Sequence, residues 1–296
     1  MSNDRKFQTY RYLLMTVDPV HVGTGGSRLG RVDNSIIREP GTHLPKIPGT
    51  GLSGAIRQYA AYRKGRPECA GQGKDHHKKP EDKCPVCFTF GTANDNGSGY
   101  SGMVSIGDAR LLFFPVYSMQ GPVWVTSPAA LQDSQMTFNG NAPQEDQAIF
   151  ASAIQGDHLN LGWLMVGRGG SLIELDAKIP EPVRSRLVVV SEKLFSHVVN
   201  SNLEVRTSVS INPLTGAAED KALFTFEALP RAAYLWMDIV EDNFRNDFPQ
   251  DNEQGWKSPI EVVNAGLEWA QHLGVGGMGT RGFGRLQKVQ DWMVQQ

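Results

Sequence analysis

Residues 21–39, HVGTGGSRLGRVDNSIIRE, place the Asp33 carboxylate in a setting suited to phosphate. Asp33 has Arg28, Arg31 and Arg38 around it, with Gly23, Gly25, Gly26 and Gly30 before it and His21 at the start. Glycine lets a ligand approach the peptide groups closely. The planar guanidinium fork can grip two phosphate oxygens at once. A lone aspartate in such company is either the group that does the chemistry or the partner of an arginine, Arg31 or Arg38. A plain surface loop with one ion pair would use the same residues.

A second constellation is built on sulfur. Cys84-Pro-Val-Cys87 is a C-x-x-C pair, with Cys69 upstream and His76 and His77 between. Three thiolates and one imidazole satisfy tetrahedral zinc. The expected ligands are Cys69, His76, Cys84 and Cys87, with His77 a rival for the imidazole place. Four protein ligands leave no open position, so the site would be structural. It would fix residues 65–90, a polar insertion without a core of its own. A redox C-x-x-C should open a helix in a thioredoxin-like unit, which is absent from the pattern, and an odd number of cysteines argues against a disulfide framework.

Two further stretches carry bare backbone. Residues 274–285, GVGGMGTRGFGR, hold six glycines with Arg281 and Arg285. Free amides and guanidinium groups make an anion-binding concavity. Residues 277–282 also fit G-x-G-x-x-G, but a dinucleotide fingerprint follows a strand and opens a helix, whereas this loop follows a helix. The other stretch, Lys46-Ile-Pro-Gly-Thr-Gly-Leu-Ser-Gly-Ala-Ile-Arg57, opens a helix, and free amides there favour a phosphate. Taken alone, the stretch reads better as an ordinary capped helix, and no Gly-Lys-Ser/Thr makes it a Walker loop. Three glycine- and arginine-bearing segments in one chain suggest a track for a phosphate backbone rather than a single nucleotide pocket.

The elements that must position these groups follow from hydrophobic period and turn residues. Strands are expected over residues 7–17, 103–116 (two, with a turn), 123–126, 163–166, 172–175, 186–190 and 232–240. Helices are expected over 50–64, from Ser127-Pro128 onward, over 191–200 behind a serine cap, and over 259–273. Residues 203–211 and 223–229 alternate around a turn at 212–216 and read as a hairpin. Residues 132–160 carry little signal. Many strands with a few helices make an α+β chain.

The bulk composition excludes little. At 296 residues, 40% hydrophobic and 20% charged, this is an ordinary globular composition. No apolar run reaches membrane-span length, and the polar start MSNDRKFQTY lacks a signal-peptide core, so a cytoplasmic location is expected. The net charge of −2 hides an asymmetry: residues 1–100 carry +6 and residues 201–296 carry −5. A basic front half permits a polyanion site.

His21-Val-Gly-Thr-Gly, Val32-Asp33-Asn34, Ile37-Arg38-Glu39, the 45–57 stretch, Phe90-Gly91 and Gly279-Thr-Arg-Gly-Phe-Gly-Arg285 together resemble the RAMP superfamily of CRISPR RNA-binding proteins. Ile106-Gly-Asp-Ala-Arg-Leu-Leu-Phe-Phe-Pro-Val116, Trp124-Val-Thr-Ser-Pro128 and Leu223-Phe-Thr-Phe-Glu227 narrow this to the repeating backbone subunit of the type III-B effector complex. The resemblance runs from about residue 10 to 288.

That resemblance implies a single RAMP domain over residues 1–296, with a modified RRM-like (ferredoxin-like) palm and insertions. Residues 200–230 would form a β-hairpin thumb that splays one nucleotide of a guide–target duplex. Copies would stack along a guide RNA with other effector subunits, and single-stranded target RNA would be cut at regular intervals. Asp33 and His21 fall on the catalytic positions, with Mg²⁺ or another divalent cation assisting. Arg38, Lys46, Ser53, Arg57, Gly277, Thr280, Arg281 and Phe283 would hold RNA. The cysteine-bearing insertion departs from many type III-B subunits and is shared with other type III systems. An RNA-binding backbone subunit without nuclease activity of its own is the alternative.

Overall fold

A computed structural model of the chain describes residues 6–25, 32–71, 83–92, 99–139, 143–171, 174–219, 223–245, 247–249 and 253–294. It is a mixed α+β protein. The chain forms two compact units, each assembled from separated segments of sequence.

Unit 1 comprises residues 1–20, 47–109 and 236–296. The strand Phe7–Thr16 pairs antiparallel with Leu286–Met293, with a bulge between Leu13 and Leu14. Val104–Ile106 pairs antiparallel with the strand Tyr234–Asp242, matching Ile106 to Ile239. Arg11 is buried and grips both carboxylate oxygens of Asp238 at 2.7 Å while its guanidinium lies 4.3 Å over the Trp236 ring. The Tyr12 hydroxyl donates to Asn264 at 2.9 Å, tying the first strand to a helix.

That helix, Pro259–Leu273, packs against Gly49–Arg63. The sequence reading placed its ends at the same residues: Pro259 needs no N–H partner in the first turn, and Gly274 at φ 78° stops it. Gly266 is the point of closest approach. A Cβ there would lie 2.2 Å from the Ile56 carbonyl oxygen. The first helix begins one residue earlier than expected, at Gly49. The sequence reading also missed a short helix, Pro85–Phe90, because its C-x-x-C dominates the pattern.

Unit 2 comprises residues 21–46 and 110–235. Its sheet runs in the order Ala109–Val116, Val123–Thr126, Leu187–Val189, Gln147–Phe150, Leu164–Ser171, His158–Leu161. The first of these strands begins one residue before the unit does. Leu187–Val189 lies parallel to Val123–Thr126 and antiparallel to Gln147–Phe150. Buried Phe113, Phe114, Phe150 and Phe195 supply its largest core side chains. Ser127 and Ser191 cap the helices Pro128–Asp133 and Glu192–Ser201, accepting from the N–H groups of Ala130 and Leu194 at 3.3 Å. The strands at 147–150 and 158–161 lie where the sequence carried little signal. They are short: Gln147–Phe150 is held between Leu187–Val189 and Leu164–Ser171, and His158–Leu161 turns straight back onto Leu164–Ser171.

Candidate functional site

The hairpin between Glu204–Ser208 and Phe224–Ala228 organises the candidate site. Its second strand, Phe-Thr-Phe-Glu-Ala, alternates as a half-buried strand should, with Phe226 and Ala228 inward. At the far end, Asn212 Oδ1 accepts the N–H groups of Leu214 (2.9 Å) and Thr215 (3.3 Å), and Gly216 takes φ 66°. Large apolar side chains stand exposed there: Val209, Ile211, Leu214 and Leu223. A second exposed group lies elsewhere in unit 2: Tyr117, Met119, Trp163 and Met165.

The free edge of Phe224–Ala228 is fully used, and its partners are the residues singled out in the sequence. The Thr225 carbonyl accepts the Asn34 N–H, and the Glu227 N–H donates to the Asn34 carbonyl, both at 3.0 Å. The Thr225 N–H donates to Asp33 Oδ2 at 2.7 Å. The Glu227 carbonyl oxygen lies 2.6 Å from His21 Nδ1. One strand edge therefore registers Asp33 and His21 on residues two apart, about 7 Å along a strand.

Asp33 is exposed, and its side chain is nonetheless held. Oδ2 also accepts from the Thr225 hydroxyl at 3.0 Å, and the Asp33 N–H donates to that same hydroxyl at 3.1 Å. The backbone N–H and then the hydroxyl of Thr225 hold the carboxyl below its ordinary range. It is an anion at neutral pH with a fixed orientation. His21 is buried. A carbonyl only accepts, so Nδ1 carries the hydrogen and Nε2 is the remaining functional nitrogen. A Cβ on Gly23 would come within 3.2 Å of Nε2, so glycine leaves room for the ring.

Arg38 departs from the expectation of an RNA contact. Its Nη2 bonds Glu227 Oε2 at 2.9 Å, its Nε bonds Asn200 Oδ1 at 2.8 Å, and its Nη1 bonds the Ile36 carbonyl at 2.9 Å. It braces the loop, and it makes no ion pair with Asp33. Arg28 and Arg31 lie outside the described residues.

Arg57 likewise proves internal. It is buried, and it donates to the carbonyls of Cys69 and Gly71 at 2.8 Å each. The first N–H of its helix is also occupied, because Gly49 donates to Asp108 Oδ1 at 2.8 Å. A carboxylate of the chain thus fills the place that the sequence reading gave to a phosphate. A Cβ on Gly49 would lie 2.3 Å from the Ile106 carbonyl oxygen, which explains that glycine without a ligand. Lys46 is half-buried with Nζ 4.0 Å from Glu39, and Ser53 is half-buried on its helix.

In the C-terminal loop, Gly277, Thr280 and Arg281 are exposed, whereas Phe283 is a core residue. The loop closes at its base. Val275 N–H donates to the Gly284 carbonyl at 2.8 Å, Gly284 N–H to that of Pro19 at 2.9 Å, and the Tyr59 hydroxyl to that of Gly274. Arg285 pairs with Asp18.

Cys69, Cys84 and Cys87 converge as expected. All three are buried, and their sulfurs lie within 4.8 Å of one another. Cys69 Sγ and Cys84 Sγ are 3.7 Å apart, too far for a disulfide. Zn–S bonds of about 2.3 Å arranged tetrahedrally require sulfur–sulfur edges of about 3.8 Å. The trio therefore fits three corners of a zinc site. Hydrogen bonding to Cys84 and Cys87, together with burial, pushes the Cys69 thiol up. Apolar packing from Ala60, Ala61, Trp256 and Val262 surrounds the cluster. His76 lies outside the described residues.

Four residues that matter here escaped the sequence reading: Thr225, Glu227, Asn200 and Asp108. Thr225, Glu227 and Asp108 stood in motifs quoted for the resemblance, with no role given to them, and Asn200 had no signal. Among the described residues no helix is long and apolar enough to cross a membrane.

The RAMP superfamily model matches residues 13–287. The chain is 27% identical over 246 residues to the CRISPR system Cmr endoribonuclease Cmr4 of Pyrococcus furiosus, covering 75% of this chain and 78% of that protein. It is 35% identical over 81 residues to the CRISPR system Cms endoribonuclease Csm3 of Methanothermobacter thermautotrophicus, covering 27% of this chain and 31% of that one. Among solved structures, a chain of the type III-B Cmr-beta complex bound to cognate target RNA superposes with a TM-score of 0.65 at 15% identity, over 94% of this chain and 95% of that one. Oligomeric Cmr4 from Pyrococcus furiosus gives 0.58 at 19%, over 96% and 100%. At such identities the structural likeness speaks for the fold.

Proposed function

The chain belongs to the RAMP superfamily, and on that premise we propose that it is a guide-RNA-binding backbone subunit of a type III CRISPR effector that cuts complementary target RNA at Asp33. The family match runs through segments of both units, so residues 1–296 act as one RAMP domain, with an RRM-like palm and residues 200–230 as its thumb. Copies of the chain and other effector subunits assemble with it along the guide. The exposed apolar side chains of unit 2 fit such contacts.

One observation carries the catalytic part: Asp33 is an exposed, ionised carboxylate fixed by Thr225 on the second strand of the hairpin. Its hard oxygen donor suits Mg²⁺ or a similar cation, which when bound would stabilise charge on a scissile phosphate. The chain's own residues do the rest. The hairpin displaces a nucleotide, so that the neighbouring 2′-hydroxyl lines up with the phosphate it attacks; the P–O5′ bond breaks, leaving a 2′,3′-cyclic phosphate and a 5′-hydroxyl that takes its proton from water. Asp33 supplies negative charge at a fixed place. His21, with Nδ1–H given to Glu227, has Nε2 to take the hydroxyl proton. Thr280, Arg281, the amides around Gly277 and Ser53, all of unit 1, hold guide backbone, and Lys46 of unit 2 meets RNA phosphate on its own unit. Zinc on Cys69, Cys84, Cys87 and His76 would fasten residues 65–90 to the helices of unit 1.

A second reading, an RNA-binding subunit with no nuclease activity, has one point in its favour. Among the described residues the sole cluster of three potential metal ligands is the cysteine trio, so Asp33 is a single carboxylate. Asp33→Ala in the reconstituted complex separates the readings. Target binding should persist while regularly spaced cuts disappear; cutting that continues at the wild-type rate leaves only the structural role.

A further inference from the structure

We propose that Thr225 is the positioning residue of the Asp33 site, so that the hairpin strand itself sets where the carboxylate points. The inference rests on the catalytic reading of Asp33 given above. Two residues 192 positions apart share three hydrogen bonds. The Thr225 hydroxyl accepts the Asp33 N–H at 3.1 Å, and its single hydrogen then goes to Oδ2 at 3.0 Å. The Thr225 N–H meets the same oxygen at 2.7 Å. Oδ2 is thus taken by two donors from one residue, and the side-chain torsions of Asp33 are fixed with Oδ1 turned away from them.

The hydroxyl is in turn fixed. Threonine is stiff at χ1 because it branches at Cβ. Its backbone is locked between Thr207 across the hairpin and Asn34 on the other edge. A shift of the strand therefore carries the carboxylate with it. An alanine or valine at 225 would keep the strand and the amide bond to Oδ2 but release one of the two constraints on the carboxylate. Serine would keep both.

Thr225→Val, Thr225→Ser and Asp33→Asn are compared in the reconstituted complex under single turnover. Thr225→Val should slow cutting about 10- to 100-fold, the range governed by a hydrogen bond to a charged group. Target affinity and melting temperature should stay at the wild-type values, amide exchange at residue 225 should quicken, and Thr225→Ser should recover most of the rate. Adding Thr225→Val to Asp33→Asn should cost nothing further. Wild-type cutting by Asp33→Asn would sink the catalytic reading itself. Loss of cutting in Asp33→Asn with an unchanged rate in Thr225→Val would overturn the positioning role alone. So would a Thr225→Val defect that tracks lost target affinity and is not recovered by serine.

Discussion

Asp33 keeps its charge at the protein surface without an ion pair to Arg38, because two donors from Thr225 replace the cation. A depressed carboxyl favours folding above its unfolded pKa, and that contribution is lost as pH falls through the lower folded value. Cutting should therefore be insensitive to Asp33 titration from pH 5 to 8, and a rate change in that range must come from another group. A pH–rate profile with an Asp33-dependent limb near neutrality would contradict this. Glu241 behaves oppositely. Burial raises its carboxyl above the ordinary range. Its contribution is present below the unfolded pKa and is lost as pH rises through the folded one. Melting of Glu241→Gln should consequently decline less than wild type as pH rises from 4 to 7. At this scale the sequence showed which side chains could do chemistry and not whom they meet. Asp33 and His21 were legible as types in a glycine-rich setting. Thr225 was not, because its role depends on a contact 192 positions away.

Among elements, the regular ones were legible where local pattern and packing agree. The helix Pro259–Leu273 has proline at its start, glycine after its end and one apolar face. The hairpin alternates and turns at Asn212–Gly216 as its residues require. The errors came from groups whose partners are remote. The glycine of the first helix start answers Ile106, and the buried Arg57 serves the turn carrying Cys69. Arg57→Ala should thus lower stability by about 1–3 kcal/mol, since it strands buried carbonyls. It should leave the salt dependence of RNA binding unchanged, whereas a phosphate contact would reduce that slope by about one. Gly266→Ala should cost about 1–3 kcal/mol through overpacking against Ile56. Metal analysis should find zinc bound to the chain. Chelation should lower its melting temperature, and Cys84→Ser should abolish both the zinc and the chelator's effect. A metal-free protein that melts identically with and without chelator would remove zinc from the account.

At the scale of the molecule, neither unit is a continuous stretch of sequence. The chain passes between them at 20/21, 46/47, 109/110 and 235/236, and the 46/47 point lies in a proline- and glycine-rich stretch. Such boundaries are set by long-range pairing, so hydrophobic period could indicate α+β content but not this division. What did survive at that scale was the combination of motifs, which no single element carries. The basic front half of an almost neutral chain fits a phosphate backbone held locally. The most direct test uses one end-labelled target with a matched guide, bound by complexes carrying wild-type chain or Asp33→Asn. Binding and cut positions are read from the same samples. The account predicts equal binding, with evenly spaced products from the wild type and intact target from the variant. Evenly spaced products at the same rate from both would contradict it.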